Sequence, residues 1–265
     1  MINIEMEALK NIRQLRDLDI LKNIQVPITD EEFKQVGNGV FYHSFDLNNI
    51  VIYSNKRSFT RLNIEMNHLQ FKNLNNKTIL DVGAWDGFFS LEAVRRGAYV
   101  TALDYYSWIL DFKKMAQLKT PYNQYDCIKE YKNELLPGQA YIKKARELLH
   151  IEDKLKLECA LLRDFKSCPF DIVFYLGVLY HTKSPLEELE HLRSLTKEYA
   201  IIETLYIKNP EIQFYGEGEI CNDLTTMWAM NEIGLAKLLK RAGFRKVEVK
   251  YIESNMNRII VYAYI

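Results

Sequence analysis

The stretch Asp81–Ser90, DVGAWDGFFS, decides the fold. An apolar run, TILDVG (78–83), closes on an acid and a glycine, and a second glycine follows at Gly87. The run has the length and composition of a short buried strand. Gly83 permits a turn with no Cβ in the way, and Gly87 lets backbone come close to a ligand where the next helix begins. That helix runs from about Gly87 and stops at Gly97, a C-terminal glycine. A second strand, YVTALD (99–104), then ends in Asp104.

The same alternation continues outward. KLECALL (156–162) reads as a weaker third strand, and FDIVFYLG (170–177) as a fourth, apolar on both faces as a central parallel strand should be. SPLEELEHLRSL (184–195) is a helix with Ser184 and Glu187 as a capping box and Pro185 in its first turn. YAIIETL (199–205) is a fifth strand. NEIGLAKLLKRAGF (231–244) carries Leu235, Leu238, Leu239 and Ala242 at helical spacing, with Asn231 as N-cap and Gly243 at its end. KVEVKYI (246–252) and RIIVYAYI (258–265) finish the chain as antiparallel edge strands. The pattern predicts an α/β fold: a doubly wound, mostly parallel seven-stranded Rossmann-like sheet with helices on both faces.

Residues 77–265 form this domain, and two stretches fall outside its plan. Residues 1–76 read as an N-terminal helical and extended cap. Its helix carries Met6, Leu9, Ile12, Leu15, Leu18 and Leu21, widened by Ala8 and Ile20, and ends near Pro27. GVFYHSFDLNNIVIY (39–53) follows as extended segments with a turn at Asn48-Asn49. Residues 105–155 exceed one crossover helix and read as an inserted lid.

Composition bounds the function. The 35 basic and 35 acidic residues balance, so the chain lacks the global positive field that drives sequence-independent binding to nucleic acid. Cys127, Cys159, Cys168 and Cys221 are scattered, with no close pair of the zinc or redox kind. They read as buried or partly buried free thiols of a reducing cytoplasm, and no metal site is expected. No apolar run reaches the roughly 18 residues of a membrane span. The expectation is a cytoplasmic protein with no membrane partner.

In such a sheet, ligands bind beyond the carboxyl ends of the strands, where strand order reverses. A dinucleotide site wants G-x-G-x-x-G, with amides free to cradle a pyrophosphate. Here the spacing is G-x-x-x-G, with Trp85 in place of the second glycine and Asp86 after it. An acid at the mouth repels pyrophosphate and suits a cationic ligand, and Asp81 at the strand end points the same way. Asp104 is placed to accept both hydroxyls of a ribose. A cationic sulfonium with an ammonium group and a ribose is S-adenosylmethionine. The candidate contacts are Asp81, Gly83, Ala84, Trp85, Asp86, Gly87 and Phe88 of the loop, Asp104 and Tyr105 after the second strand, Leu161 after the third and Gly177 after the fourth.

These residues resemble the class I S-adenosylmethionine-dependent methyltransferases. FDIVFYLGVLYHTKSPLEELEHLRSL (170–195) and IIETL (201–205) narrow the resemblance to the tRNA wobble-uridine 5-oxyacetate methyltransferase family and its relatives, which share the GVLYH turn, the S-P-L-E helix start and E-T-L. MWAMNEIGLAKLLKRAGF (227–244), FYHSFDLNN (41–49) and KRSFTR (56–61) fit as well. The likeness covers roughly residues 40–104 and 155–265. The wobble-uridine enzymes usually carry a G-x-G-x-G loop, whereas this chain has GAWDG, a form shared by relatives with other acceptors. They use a carboxylated methyl donor and hold its extra carboxylate with a Lys, a Tyr and an Arg. The resemblance puts Tyr180 at the tyrosine position and Arg258 near the arginine position. The lysine has no assignable counterpart; Lys34 and Lys56 are near only by proximity. The expected donor is therefore ordinary S-adenosylmethionine, with the carboxylated form as the alternative.

Methyl transfer to a hydroxyl requires alignment of the nucleophile and removal of its proton. His181, directly after the fourth strand, is a candidate base or a histidine capping the next turn. Glu203, at the end of the fifth, is a second candidate base or a buried ion-pair partner. His43, Tyr180, Trp228 and Arg258 are candidate acceptor contacts; His43 and Trp228 equally suit packing roles. Lys143, Lys144 and Arg146, and the group Lys237, Lys240, Arg241, Arg245 and Lys246, read as solvated helix faces or local sites for a phosphate-bearing acceptor. Two functional classes stand beside each other: an O-methyltransferase of a small polar acceptor (a saccharide, nucleotide-linked or phosphorylated metabolite), and a tRNA wobble-uridine methyl- or carboxymethyltransferase. A third is a non-catalytic S-adenosylmethionine-binding protein.

Overall fold

The computed structural model describes residues 2–14, 16, 29, 42–54, 56–69, 71, 74–109, 137–216, 225–253 and 257–265. Leu15, Leu18, Ile20, Leu21, Pro27, Lys34, Cys127, Cys221 and the greater part of the insertion (110–136) lie outside the described residues.

The chain opens with α1 (Ile2–Gln14), the hairpin β1 (Phe45–Leu47) and β2 (Ile50–Ile52), and α2 (Phe59–Leu69). The hairpin turns at Asn48-Asn49, with Asn48 in the left-handed region at φ 61°. Leu9 and Ile12 of α1 are buried, whereas Met6 sits on its outer side, with its sulfur accepting from the Tyr53 hydroxyl. Helix α2 had no counterpart in the sequence reading. Its apolar stripe is Phe59, Leu62, Met66 and Leu69. Its first turn is capped by the Glu5 carboxylate of α1, which accepts from the Phe59 amide at 2.7 Å and the Thr60 amide at 3.3 Å. A cap from so far along the chain leaves no local signature.

The main sheet follows: β3 (Thr78–Val82), α3 (Phe88–Val94), β4 (Tyr99–Asp104), α4 (Tyr106–Ile109), α5 (Pro137–Leu148), β5 (Leu155–Cys159), β6 (Phe170–Leu176), α6 (Pro185–Ser194), β7 (Thr196–Leu205), α7 (Glu232–Arg241), β10 (Lys246–Glu253) and β11 (Arg258–Tyr264). A two-stranded ribbon, β8 (Ile212–Phe214) and β9 (Trp228–Met230), lies between β7 and α7 in sequence and was also missed. The seven strands run β10-β11-β7-β6-β3-β4-β5, parallel except for β11 and β10. Order reverses at β3, which pairs with β4 on one side and β6 on the other. The loops after β3 and β6 therefore open on the same crevice.

Two local expectations are corrected. Ser184 occupies the N-cap of α6 with Pro185 behind it, but its side chain makes no capping hydrogen bond, so the capping box is not formed. Cys159 and Cys168 are exposed thiols rather than buried ones. Asn231 does cap α7, accepting from the Ile233 and Gly234 amides at 3.0 and 2.9 Å.

The cap shares its core with the sheet: Leu9, Ile12, Phe45 and Leu62 belong to one buried cluster with Ile79, Leu91 and Phe174. A buried ionic network adds to this contact. Arg16 bonds both Glu92 of α3 (3.1 and 2.5 Å) and Asp46 of β1 (2.6 Å), and Arg95 and Arg96 also reach Glu92. No helix among the described residues is long and apolar enough to cross a membrane.

Candidate functional site

A cavity of about 300 Å³ lies at the carboxyl ends of β3, β4, β6 and β7. The β3 loop forms one wall. Gly83 (φ 75°) and Gly87 (φ 84°) both need the left-handed region, and Trp85 adopts it too at φ 50°. Trp85 lines the cavity while its carbonyl accepts from the buried Trp108 indole at 2.7 Å, which ties the loop to α4.

The glycines work differently from expectation. A Cβ on Gly83 would lie 2.4 Å from Val178 Cγ2, so the space it protects is first of all the packing of the β3 loop against the β6 loop. A Cβ on Gly87 would strike Ile142 of α5 at 2.4 Å. Gly87 thus serves close packing of the inserted helix beneath the loop, and neither it nor Phe88 lines the cavity. Gly177 (φ 75°) does face it: a Cβ there would meet only Glu203 Oε2 and the Tyr180 hydroxyl, each at 3.5 Å.

The acids divide into three roles. Asp104 is buried on the cavity wall; Oδ2 accepts from the Trp85 amide and Oδ1 from the Ser107 amide, both at 3.0 Å. The Tyr105 amide and the Ser107 side chain also act on this carboxylate, and burial raises it above its ordinary value against these bonds. Asp81 accepts from the Ser90 hydroxyl at 2.5 Å. Burial pushes its carboxyl up to about 6, Ser90 opposes the rise, Asp104 adds to it and His43 opposes it. Asp86 is not at the mouth. It is fully buried, and its carboxylate holds His43, accepting from the backbone amide at 2.9 Å and meeting Nδ1 at 2.6 Å. The cation it was expected to attract from solution is met instead by a ring of the protein itself.

The opposite wall belongs to the cap and the β6, β7 and β11 ends. Tyr42, His43, Arg57 and Glu65 reach it from the cap, and Tyr180, His181 and Glu203 from the sheet. Arg57 pairs with Glu65, and Arg61 holds the same carboxylate at 2.8 Å. Arg258 Nε lies 3.3 Å from Glu203 Oε1, and the guanidinium stacks over the Tyr180 ring at 4.9 Å. Burial raises Glu203 above the usual carboxylate range despite Arg258 and Arg57. Burial also pushes the Tyr180 phenol up to about 12. His181 Nδ1 lies 2.8 Å from Thr225 Oγ1 and 3.0 Å from its carbonyl.

Of the expected contacts, Tyr105, Leu161, Trp228 and Arg258 do not line the cavity. Leu161 begins a turn after β5, and the Trp228 indole donates to the Thr182 carbonyl at 2.8 Å. Arg57, Glu65 and Tyr42 were missed as cavity residues. KRSFTR was legible as a motif, but nothing in it shows which charges face inward. Among the described residues no cluster of His, Cys, Asp or Glu is arranged to hold a metal ion. The basic groups are partly neutralised: Lys237 pairs with Glu211 at 2.6 Å and Lys144 with Glu147 at 3.6 Å.

Residues 55–249 match the family model described as a methyltransferase domain. The chain belongs to that family. Its domain is the S-adenosylmethionine-dependent methyltransferase domain, with the doubly wound sheet expected of it. The tRNA U34 carboxymethyltransferase of Idiomarina loihiensis is 34% identical over 83 residues, 30% of this chain and 26% of that one. The enzyme of the same name from Pseudomonas putida is 26% identical over 178 residues, 66% of this chain and 48% of its own. The methyltransferase chain thus spans about half or less of the length of these curated relatives. Among solved structures, the N-terminal domain of EvdMO1 with SAH bound aligns with a TM-score of 0.60 at 15% identity, covering 89% of this chain and 97% of that one. That likeness is one of fold.

Proposed function

We propose that the protein transfers a methyl group from S-adenosylmethionine to a hydroxyl oxygen of a small polar acceptor. One observation carries the reading: a single cavity joins a donor end to a polar acceptor end. At the proposed donor end are Asp104, a buried carboxylate on the cavity wall for the ribose, Asp81 beside the β3 turn for the ligand's positive charge, and Gly177 with no side chain to fill the space. The rest of the lining combines Arg57, Glu65, Glu203 and Tyr180 with the apolar Leu69, Phe89, Leu176 and Ile260. Paired charges beside apolar surface suit a compact, hydroxylated acceptor. Bound there, the donor supplies a methyl carbon already activated by the sulfonium. The protein aligns the acceptor oxygen with it, excludes water and removes a proton.

The test is transfer of the radiolabelled methyl group of S-adenosylmethionine to defined probes: methyl glycosides, nucleoside diphosphate sugars, sugar phosphates and bulk tRNA. Labelling of a hydroxylated small molecule supports the reading. Labelling of tRNA alone overturns it.

A second reading has its own observation. Tyr180 and Arg258, the positions that the wobble-uridine resemblance assigns to a donor carboxylate, are stacked on each other beside the cavity. The relatives named tRNA U34 carboxymethyltransferase add to it. Tighter binding of carboxy-S-adenosylmethionine than of S-adenosylmethionine, with micromolar tRNA binding at 150 mM salt that weakens steeply as salt rises, would favour it.

A further inference from the structure

We infer that His43, clamped by Asp86, is the group that takes the acceptor's proton, and that Asp86 is its positioning residue. The inference rests on the methyl-transfer reading and goes past it, because sequence order had pointed to His181 and Glu203.

Three observations converge. First, Asp86 grips His43 at two points, the backbone amide (2.9 Å) and Nδ1 (2.6 Å), and is itself fully buried. A carboxylate on Nδ1 fixes the tautomer with the proton on that nitrogen, leaves the Nε2 lone pair outward and stabilises the imidazolium that proton uptake creates. Second, the ring is held on three sides, by Phe88 stacked at 5.4 Å, Phe89 at 5.6 Å and Tyr42 at 4.9 Å, yet it lines the cavity with a tenth of its side chain exposed. Among the described residues Nε2 has no hydrogen-bond partner. Third, the alternatives are built differently. Glu203 is an ion-pair partner of Arg258, and Nδ1 of His181 meets the hydroxyl and carbonyl of Thr225, which carry no charge.

The step balances as follows. The acceptor oxygen forms a bond to the methyl carbon as the carbon–sulfur bond breaks, with the bonding pair leaving on sulfur. The hydroxyl proton passes to Nε2 and then to solvent. The positive charge thus moves from sulfonium to imidazolium, beside the Asp86 carboxyl.

The test separates transfer from binding. With a hydroxylated probe that the wild type labels, His43→Gln should lose methyl transfer at least a hundredfold while binding S-adenosylhomocysteine within threefold of wild type. Nitrogen NMR of histidine-labelled wild type should show His43 with its proton on Nδ1, and Asp86→Asn should disturb that tautomer. Transfer within tenfold of wild type in folded His43→Gln, or a proton on Nε2, overturns the proposal; the NMR decides if His43→Gln fails to fold or no probe is labelled. Failure of wild type to bind S-adenosylhomocysteine sinks the donor reading instead, and the tautomer still reports on the dyad.

Discussion

Asp104→Asn probes the donor end where the structure is most explicit. Both carboxylate oxygens already accept a backbone amide, from Trp85 and Ser107, at 3.0 Å each. The Tyr105 amide and the Ser107 side chain also act on it, so a ribose hydroxyl would share a carboxylate oxygen with a backbone amide. Asparagine replaces one oxygen with an NH₂ group. On the ligand side one charge-assisted acceptor is lost, about 1.5–3 kcal/mol, or roughly a 10- to 150-fold weaker binding of S-adenosylhomocysteine. On the protein side the new NH₂ points at a backbone N–H and leaves it unsatisfied in a buried site, at about 1–3 kcal/mol. For a chain of this size that lowers Tm by about 2–12 °C. Isothermal calorimetry and thermal unfolding read the two effects separately. A variant that keeps wild-type affinity within threefold while folded would refute the assignment of Asp104 to the ribose.

Three further outcomes follow from single contacts. Gly83→Ala should weaken S-adenosylhomocysteine at least tenfold by calorimetry, and Val178→Ala in the same chain should recover part of the lost Tm, because the new Cβ meets Val178 Cγ2 at 2.4 Å; no recovery would mean that the φ of 75° alone is responsible. Asp81→Asn should raise the Tm of the ligand-free protein at pH 8 while weakening the donor: burial holds this carboxyl at about 6, above the unfolded value of 3.8, so its contribution to stability is present below pH 4 and lost as pH rises through 6. A Tm lower than wild type at pH 8 would contradict this. Glu92→Gln should lower Tm by about 6–20 °C in a thermal melt, since it leaves Arg16, Arg95 and Arg96 buried without their shared anion, a loss of about 3–5 kcal/mol. Burial would raise Glu92, but the arginines hold it well below the usual carboxylate range, so its stabilisation is present above the unfolded value of 4.5 and fades as pH falls below it.

The sheet was legible because its signals are local. TILDVG and FDIVFYLG are apolar runs of strand length closed by glycines with positive φ, and the parallel, doubly wound character of β3 to β7 follows from strand–helix alternation. What escaped was written between distant residues. Helix α2 takes its cap from Glu5, and its buried Arg61 and Glu65 look like surface charges until they are seen paired with each other. Strands β8 and β9 are three residues each, too short for period-two alternation to register. The predicted capping box at Ser184 shows the opposite failure: the local pattern is present, yet Pro185 alone marks the helix start and the serine side chain makes no cap.

Asp86 shows why a motif read from one segment assigned the wrong partner. Between Trp85 and Gly87, an acid in the turn of a nucleoside site reads as aimed at the ligand, because sequence order supplies no other cation. The left-handed turn at Trp85 and Gly87 instead buries it under the cap, where the closest polar hydrogens are those of His43. Had Asp86 faced the cavity, Asp81, Asp86 and Asp104 would have stood as three carboxylates on one wall, and each would have made it harder for the others to ionise. Paired with His43, Asp86 leaves that wall with two acids, and the charge it carries is used to orient a ring. On the proposed reading, the acid in the loop acts on the ligand through a histidine of the cap. This makes docking of the cap part of building the site, and it gives the ionic network of Arg16, Asp46 and Glu92 a consequence beyond stability. By holding β1 against α3, that network keeps His43 within reach of Asp86.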